Sequence, residues 1–123
     1  MPSTRLYKTL QASGDIAAYR IIALGADRLA SQATAATAAL IGTSDELGKQ
    51  TNDVVDVAMS DIPEVESGAA IAVGDPLTAD AEGRAVKATA TGQRIIGFAF
   101  AAASGEGEII DYIYAPGFMA VSV

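Results

Sequence analysis

Val54-Val55-Asp56-Val57-Ala58-Met59 and Ile109-Ile110-Asp111-Tyr112-Ile113-Tyr114 follow one pattern, 55 residues apart. Side chains alternate faces along an extended chain. Val55, Val57 and Met59 therefore share a face, as do Ile110, Tyr112 and Tyr114, and these faces are the expected core. Asp56 and Asp111 fall on the opposite face at matching places. Leu40-Ile41-Gly42 returns as Ile95-Ile96-Gly97 at the same spacing. Two apolar blocks recurring at one offset, each keeping its Gly or Asp, mark an internal duplication, and such a period outranks local propensity in deciding a fold. The copies span about residues 16–62 and 71–117. Arg28 and Arg84 stand 56 apart, which predicts one residue gained between the landmarks.

The duplication bears on an ambiguous stretch. Residues 29–41 are rich in Ala and could form a helix by propensity. The second copy sets Gly92 opposite Thr37, and Thr89-Ala90-Thr91 opposite Thr34-Ala35-Ala36. Gly and paired Thr disfavour a helix interior, so both copies read as strand, loop, strand, with a short helical turn left open in the first. Further strands are expected from Ile16 to Leu24, ending at the turn Gly25-Ala26-Asp27, and from Arg28 to Gln32, matched by Arg84 to Ala88. Leu40 to Thr43 is matched by Ile95 to Phe98, running on to about Ala101. Gly74-Asp75-Pro76, Asp80 to Gly83 and Ser104 to Glu108 read as turns; the last is matched by Lys49 to Asp53. Asp61 to Gly68 reads as a link too short for independent domains, so the copies share one core. The expectation is a mainly β protein: an N-terminal arm, residues 1–15, and a single β domain, residues 16–123.

The chain has 123 residues, with 8 Lys and Arg against 15 Asp and Glu, a net charge of −7. This is one small domain's worth of chain. Without Cys there are no disulfides and no thiolate chemistry. Without His the commonest general base and transition-metal ligand is missing. An acidic chain with few cations is poorly suited to neutralising phosphates, so no direct nucleic-acid partner is expected. No apolar signal-peptide core follows the first charges, and the longest charge-free run, Leu29 to Ser44, is too short to span a bilayer. Synthesis and use without export, with no membrane partner, is the expectation. Residues 1–28 carry Arg5, Lys8, Arg20 and Arg28 against Asp15 and Asp27, while the remainder is strongly acidic. That asymmetry suits docking on an acidic partner surface, or is an ordinary mixed surface.

Paired acids occur at Asp45-Glu46, Asp80/Glu82 and Glu106/Glu108, all in expected turns, where they serve geometry and solubility. Gly105-Glu106-Gly107 lacks the Lys and strand-to-helix context of a phosphate loop. Catalytic, metal and cofactor residues are therefore expected to be none. Residues 2–14 precede the first copy and find no echo in the second. Arg5, Leu6, Tyr7, Lys8 and Leu10 then form a docking arm that orders on binding; the alternative is an ordinary edge strand. The tail Phe118-Met119-Ala120-Val121-Ser122-Val123 follows Pro116-Gly117. An apolar end needs cover, from a neighbouring subunit or from its own core. Phe118 and Met119 are the candidate subunit-interface residues.

Gly68-Ala69-Ala70-Ile71-Ala72-Val73-Gly74-Asp75-Pro76-Leu77-Thr78-Ala79-Asp80, then Gly83-Arg84-Ala85-Val86 and Arg94-Ile95-Ile96-Gly97, resembles the small capsid decoration (cement) proteins of tailed bacteriophages. Leu40-Ile41-Gly42-Thr43-Ser44 followed by Val54-Val55-Asp56-Val57 fits the same pattern, and the likeness runs from about residue 16 to 117. It implies a β-sandwich or β-tulip fold, a homotrimer, and a place on the outer surface of the phage head. There, after synthesis in the bacterial cytoplasm, the protein would bridge neighbouring major capsid proteins through its N-terminal arm, without catalysis. The other reading is a β-domain that binds a ligand such as a carbohydrate. Its aromatic platforms would be Tyr112 and Tyr114, which alternation turns toward the core.

Overall fold

The computed structural model describes residues 7–119. Strands β1 (Tyr7–Gln11), β2 (Ile21–Leu24), β3 (Ala30–Gln32), β4 (Leu40–Thr43) and β5 (Val54–Ala58) form an antiparallel sheet in the order β1-β5-β4-β2-β3. Strands β6 (Glu64–Glu66), β7 (Pro76–Ala79), β8 (Ala85–Lys87), β9 (Arg94–Ala99) and β10 (Ile109–Phe118) form a second, in the order β6-β10-β9-β7-β8. The second order is the first moved on by five strands. The protein is mainly β, a small two-sheet sandwich; the helical element among the described residues is one 3-10 turn, Ala26–Arg28.

The duplication holds pair by pair. Ile22 faces Gln32 as Leu77 faces Lys87. Ile21 faces Thr43 as Pro76 faces Phe98. Leu10 faces Val55 as Val65 faces Ile110. Backbone conformation agrees as well: Tyr19, Arg28 and Asn52 take positive φ where the second half has Gly74, Gly83 and Gly107. Glycine adopts that region without steric penalty, and the first half bears the strain of larger residues.

Several expectations are corrected by this register. Residues 7–11 do have an echo: β1 is an edge strand whose equivalent is β6, so Glu64–Glu66 is a strand and not part of a linker. Arg84 is equivalent to Leu29, not Arg28. The bond from Gly25 N–H to the Leu29 carbonyl returns as Asp80 N–H to Arg84, and no residue is gained there. Ile16 to Leu24 is not one strand. Ile16 makes an isolated bridge with Lys49, Tyr19 turns the chain at positive φ, and β2 begins at Ile21. Residues 29–41 do form strand, loop, strand.

Each sheet curls until its two edges meet through a single parallel bridge, Ala12 to Ala30 in the first half and Ser67 to Ala85 in the second. Small side chains at these four places let the backbones approach. Inside the first curl lie Ile16, Ile22, Val55 and Val57, flanked by Leu10, Ile41 and Met59. Inside the second lie Ile71, Leu77, Ile110 and Tyr112. The faces expected to be core are therefore core.

The halves join asymmetrically. The outer face of the first half, Ile21, Ala23, Ala33 and Leu40, enters one cluster with Val65, Ala79, Ile96 and Tyr112 at the open end of the second curl. Full burial of each large aliphatic side chain contributes about 1.5–3 kcal/mol. Polar contacts fix the orientation. The Tyr112 and Thr43 hydroxyls lie 3.0 Å apart, the Tyr114 hydroxyl donates to the Ile41 carbonyl, and Arg20 meets Glu66 at 3.2 Å.

Candidate functional site

The open end of the first curl is a groove of about 340 Å³, lined by Lys8, Leu10, Leu24, Arg28, Ile41 and Met59. Its floor is apolar, and its two cations stand at the rim. β1 supplies Lys8 and Leu10, β2 supplies Leu24 at its exposed end, and the 3-10 turn supplies Arg28. Lys8 is exposed and Leu10 half-buried. Tyr7 opens β1 opposite Ala58. Arg5 and Leu6 lie outside the described residues.

A second apolar surface lies on the outer face of the second half. Phe98 on β9 stands directly across from Ile113 on β10, with Pro76 of β7 on the other side of Phe98. Phe98 is 39% exposed and Ile113 43%, and Phe100 beyond β9 is also exposed. A contiguous exposed apolar patch of this kind marks a contact surface. Alternation and turn signals alone do not single these residues out. The available signal was the mismatch within the repeat: Phe98 and Ile113 stand where the first copy has Thr43 and Ala58.

Phe118 ends β10, exposed, with its ring 4.7 Å from the Arg94 guanidinium carbon. Met119 is half-buried and exchanges backbone bonds with Gly92 and Gln93. Both sit beside the start of β9, at the edge of the second half. Tyr112 is fully buried and Tyr114 partly so, its hydroxyl engaged with the first half; neither offers a flat exposed ring to a sugar.

The acid pairs serve their turns. Asp80 accepts the backbone N–H groups of Glu82 and Arg84. The Arg84 guanidinium meets Asp80 at 3.3 Å, Glu106 at 3.4 Å and Glu82 at 3.6 Å. Partial desolvation pulls its pKa down, but these carboxylates outweigh that and raise it. Glu108 accepts bonds from the Ser104 hydroxyl and N–H, which hold its carboxyl below the usual range. A polar recess of about 160 Å³ is lined by Tyr19, Thr43, Ser44, Asp45, Glu46 and Glu64 among others. Burial and the carboxylates Glu64, Glu46 and Asp45 raise the Tyr19 phenol pKa. Among the described residues, no three acidic side chains come together as metal ligands would.

A duplicated β unit with two exposed apolar surfaces and its acids spent on turns is a binding scaffold. The chain belongs to the phage cement protein family, whose model matches residues 2–113. It is thus a structural, capsid-binding protein of the phage virion, located at the capsid surface. Its fold is similar to the crystal structure of the head fiber gp8.5 N base in bacteriophage phi29. That likeness has a TM-score of 0.67 at 24% identity, over 91% of this chain and 95% of that one. No curated protein matches the chain.

Proposed function

We propose that the protein clamps the lattice of the major capsid protein from outside, as a homotrimer held to the head by the start of its chain. The observation that carries this reading is the family match together with the position of β1. That strand runs along a sheet edge, which puts its first residue, Tyr7, at the periphery of the domain. Arg5, Leu6, Tyr7 and Lys8 are the contact residues, and Leu10 is the anchor that ties the strand to the sheet. Phe118 and Met119 lie at the subunit interface, where the exposed Phe118 ring gains cover. The role needs no catalysis, cofactor or nucleic acid. Many weak copies on one lattice add up to a large stabilisation.

The test is a deletion of residues 2–6, which leaves β1 in place. The shortened protein is expected to keep its circular dichroism and melting temperature but to stop co-sedimenting with heads that lack the native protein. Undiminished binding would remove the chain start from the account.

A further inference from the structure

We infer that copies of this chain join head to tail: the outer face of one copy's second half seats in the groove of the next copy's first half. The internal duplication carries this contact, independently of how the capsid is bound.

Each half has an open end and an outer face. The open end of the second half, at Val65, Ala79, Gly83, Ile96 and Tyr114, is closed by the outer face of the first half. Moved back by the repeat spacing, those five positions are Leu10, Leu24, Arg28, Ile41 and Met59. These are residues of the apolar groove, and none of the described residues fills it. The converse also holds. On the first half's outer face, Thr43 is 0% exposed and Ala58 4%. Their equivalents Phe98 and Ile113 are the exposed pair on the second half. One socket of two is occupied, and one plug of two is free. The surfaces left over are the two that fit each other within the chain.

The chain ends agree with this arrangement. The first half runs through Pro63 into β6, so the end of one unit adjoins the edge strand of the next. Pro63 is fully buried at that joint. Its equivalent at the end of the second unit is Phe118, which is 66% exposed. In the head-to-tail contact Phe118 comes to the β1 edge of the neighbouring copy, the place that Pro63 takes beside β6 within the chain. Lys8 and Arg28 border the groove, whereas Asp111 stands two residues before Ile113 on β10; Asp75, beside Pro76, is already paired with Lys87 at 3.8 Å. Not every internal contact recurs. The Arg20–Glu66 pair becomes Asp75 and Gln11, and Pro76 has no N–H to repeat the bond that Ile21 gives Gly83. The contact between copies is therefore more apolar than the contact within one. A heterologous contact of this kind leaves no free ends only when it closes into a ring.

The experiment uses purified full-length protein without capsids, with mass read by sedimentation equilibrium. The native chain is expected to be oligomeric. Leu24→Asp spoils the groove and Phe98→Asp spoils the face. Both residues are exposed, so circular dichroism is expected to stay native in each. Each variant alone is expected to run as a monomer. Mixed, they are expected to form a dimer, because the Phe98→Asp chain keeps a good groove and the Leu24→Asp chain keeps a good face. A native chain that is monomeric, a Leu24→Asp chain that keeps the native mass, or a mixture that stays monomeric would overturn the inference. Head binding is read separately, so loss of the capsid role leaves this result standing.

Discussion

Gly42 and Gly97 hold equivalent places on β4 and β9, and both lie against backbone. A Cβ on Gly42 would run into the Ala58 carbonyl oxygen, and one on Gly97 into that of Ile113. Neither neighbour can yield, since each is the main chain of the adjacent strand. Gly97 also has φ of +155°. Gly97→Ala is expected to cost about 2–4 kcal/mol, read as a lower urea midpoint with unchanged slope. Tyr112→Phe removes the hydroxyl that meets buried Thr43, at an expected cost of about 1–2 kcal/mol. Glu108 carries a pH signature. Its carboxyl is held low by Ser104, so its stabilisation of the hairpin is complete above the usual glutamate range. It is lost as pH falls through the lowered value. Ser104→Ala is expected to move the Glu108 titration upward, observable by NMR.

β1 shows how much one strand can carry. It pairs with β5 over five positions, Tyr7 to Gln11. The chain just beyond it closes the curl through Ala12, which is fully buried. Deleting residues 2–12 is therefore expected to unfold the first half or lower the melting temperature sharply, whereas deleting residues 2–6 is not. The contrast separates a strand of the fold from the segment before it. The same strand explains a limit of sequence reading. Thr9, Leu10 and Gln11 correspond to Glu64, Val65 and Glu66, and these share only an apolar middle residue. Nothing in residue type discloses the match. It becomes visible only when both triplets are seen paired to β5 and β10. The turns were easier to read, because Gly83 and Gly107 stand where the chain needs positive φ.

The two halves depend on one another unequally. The first keeps a core of its own around Ile16, Ile22, Val55 and Val57. The second has a core that includes Ile21, Ala23 and Leu40 of the first. Residues 63–123 expressed alone are expected to lack cooperative unfolding. Residues 1–62 alone are expected to retain partial structure but to aggregate through the uncovered Ile21 and Leu40. Circular dichroism melts of the separate and mixed fragments check both outcomes.

The β class, the duplication, the core faces of β5 and β10 and the absence of His and Cys chemistry were all legible in the residue string. They depend on alternation, spacing and composition, which are local properties of a chain. How the halves meet was not legible. Two similar units could pack symmetrically face to face, or one could plug the other, and the same alternating pattern serves both. The choice is made by a few side chains at the joint: Tyr112 reaching Thr43, Tyr114 reaching the Ile41 carbonyl, and Arg20 meeting Glu66. These partners lie 46 to 73 residues apart in sequence. Contacts at such separation leave no periodic trace, so the filled socket, and with it the groove that the described residues leave open at Leu10, Leu24, Ile41 and Met59, emerges only when the chain is folded.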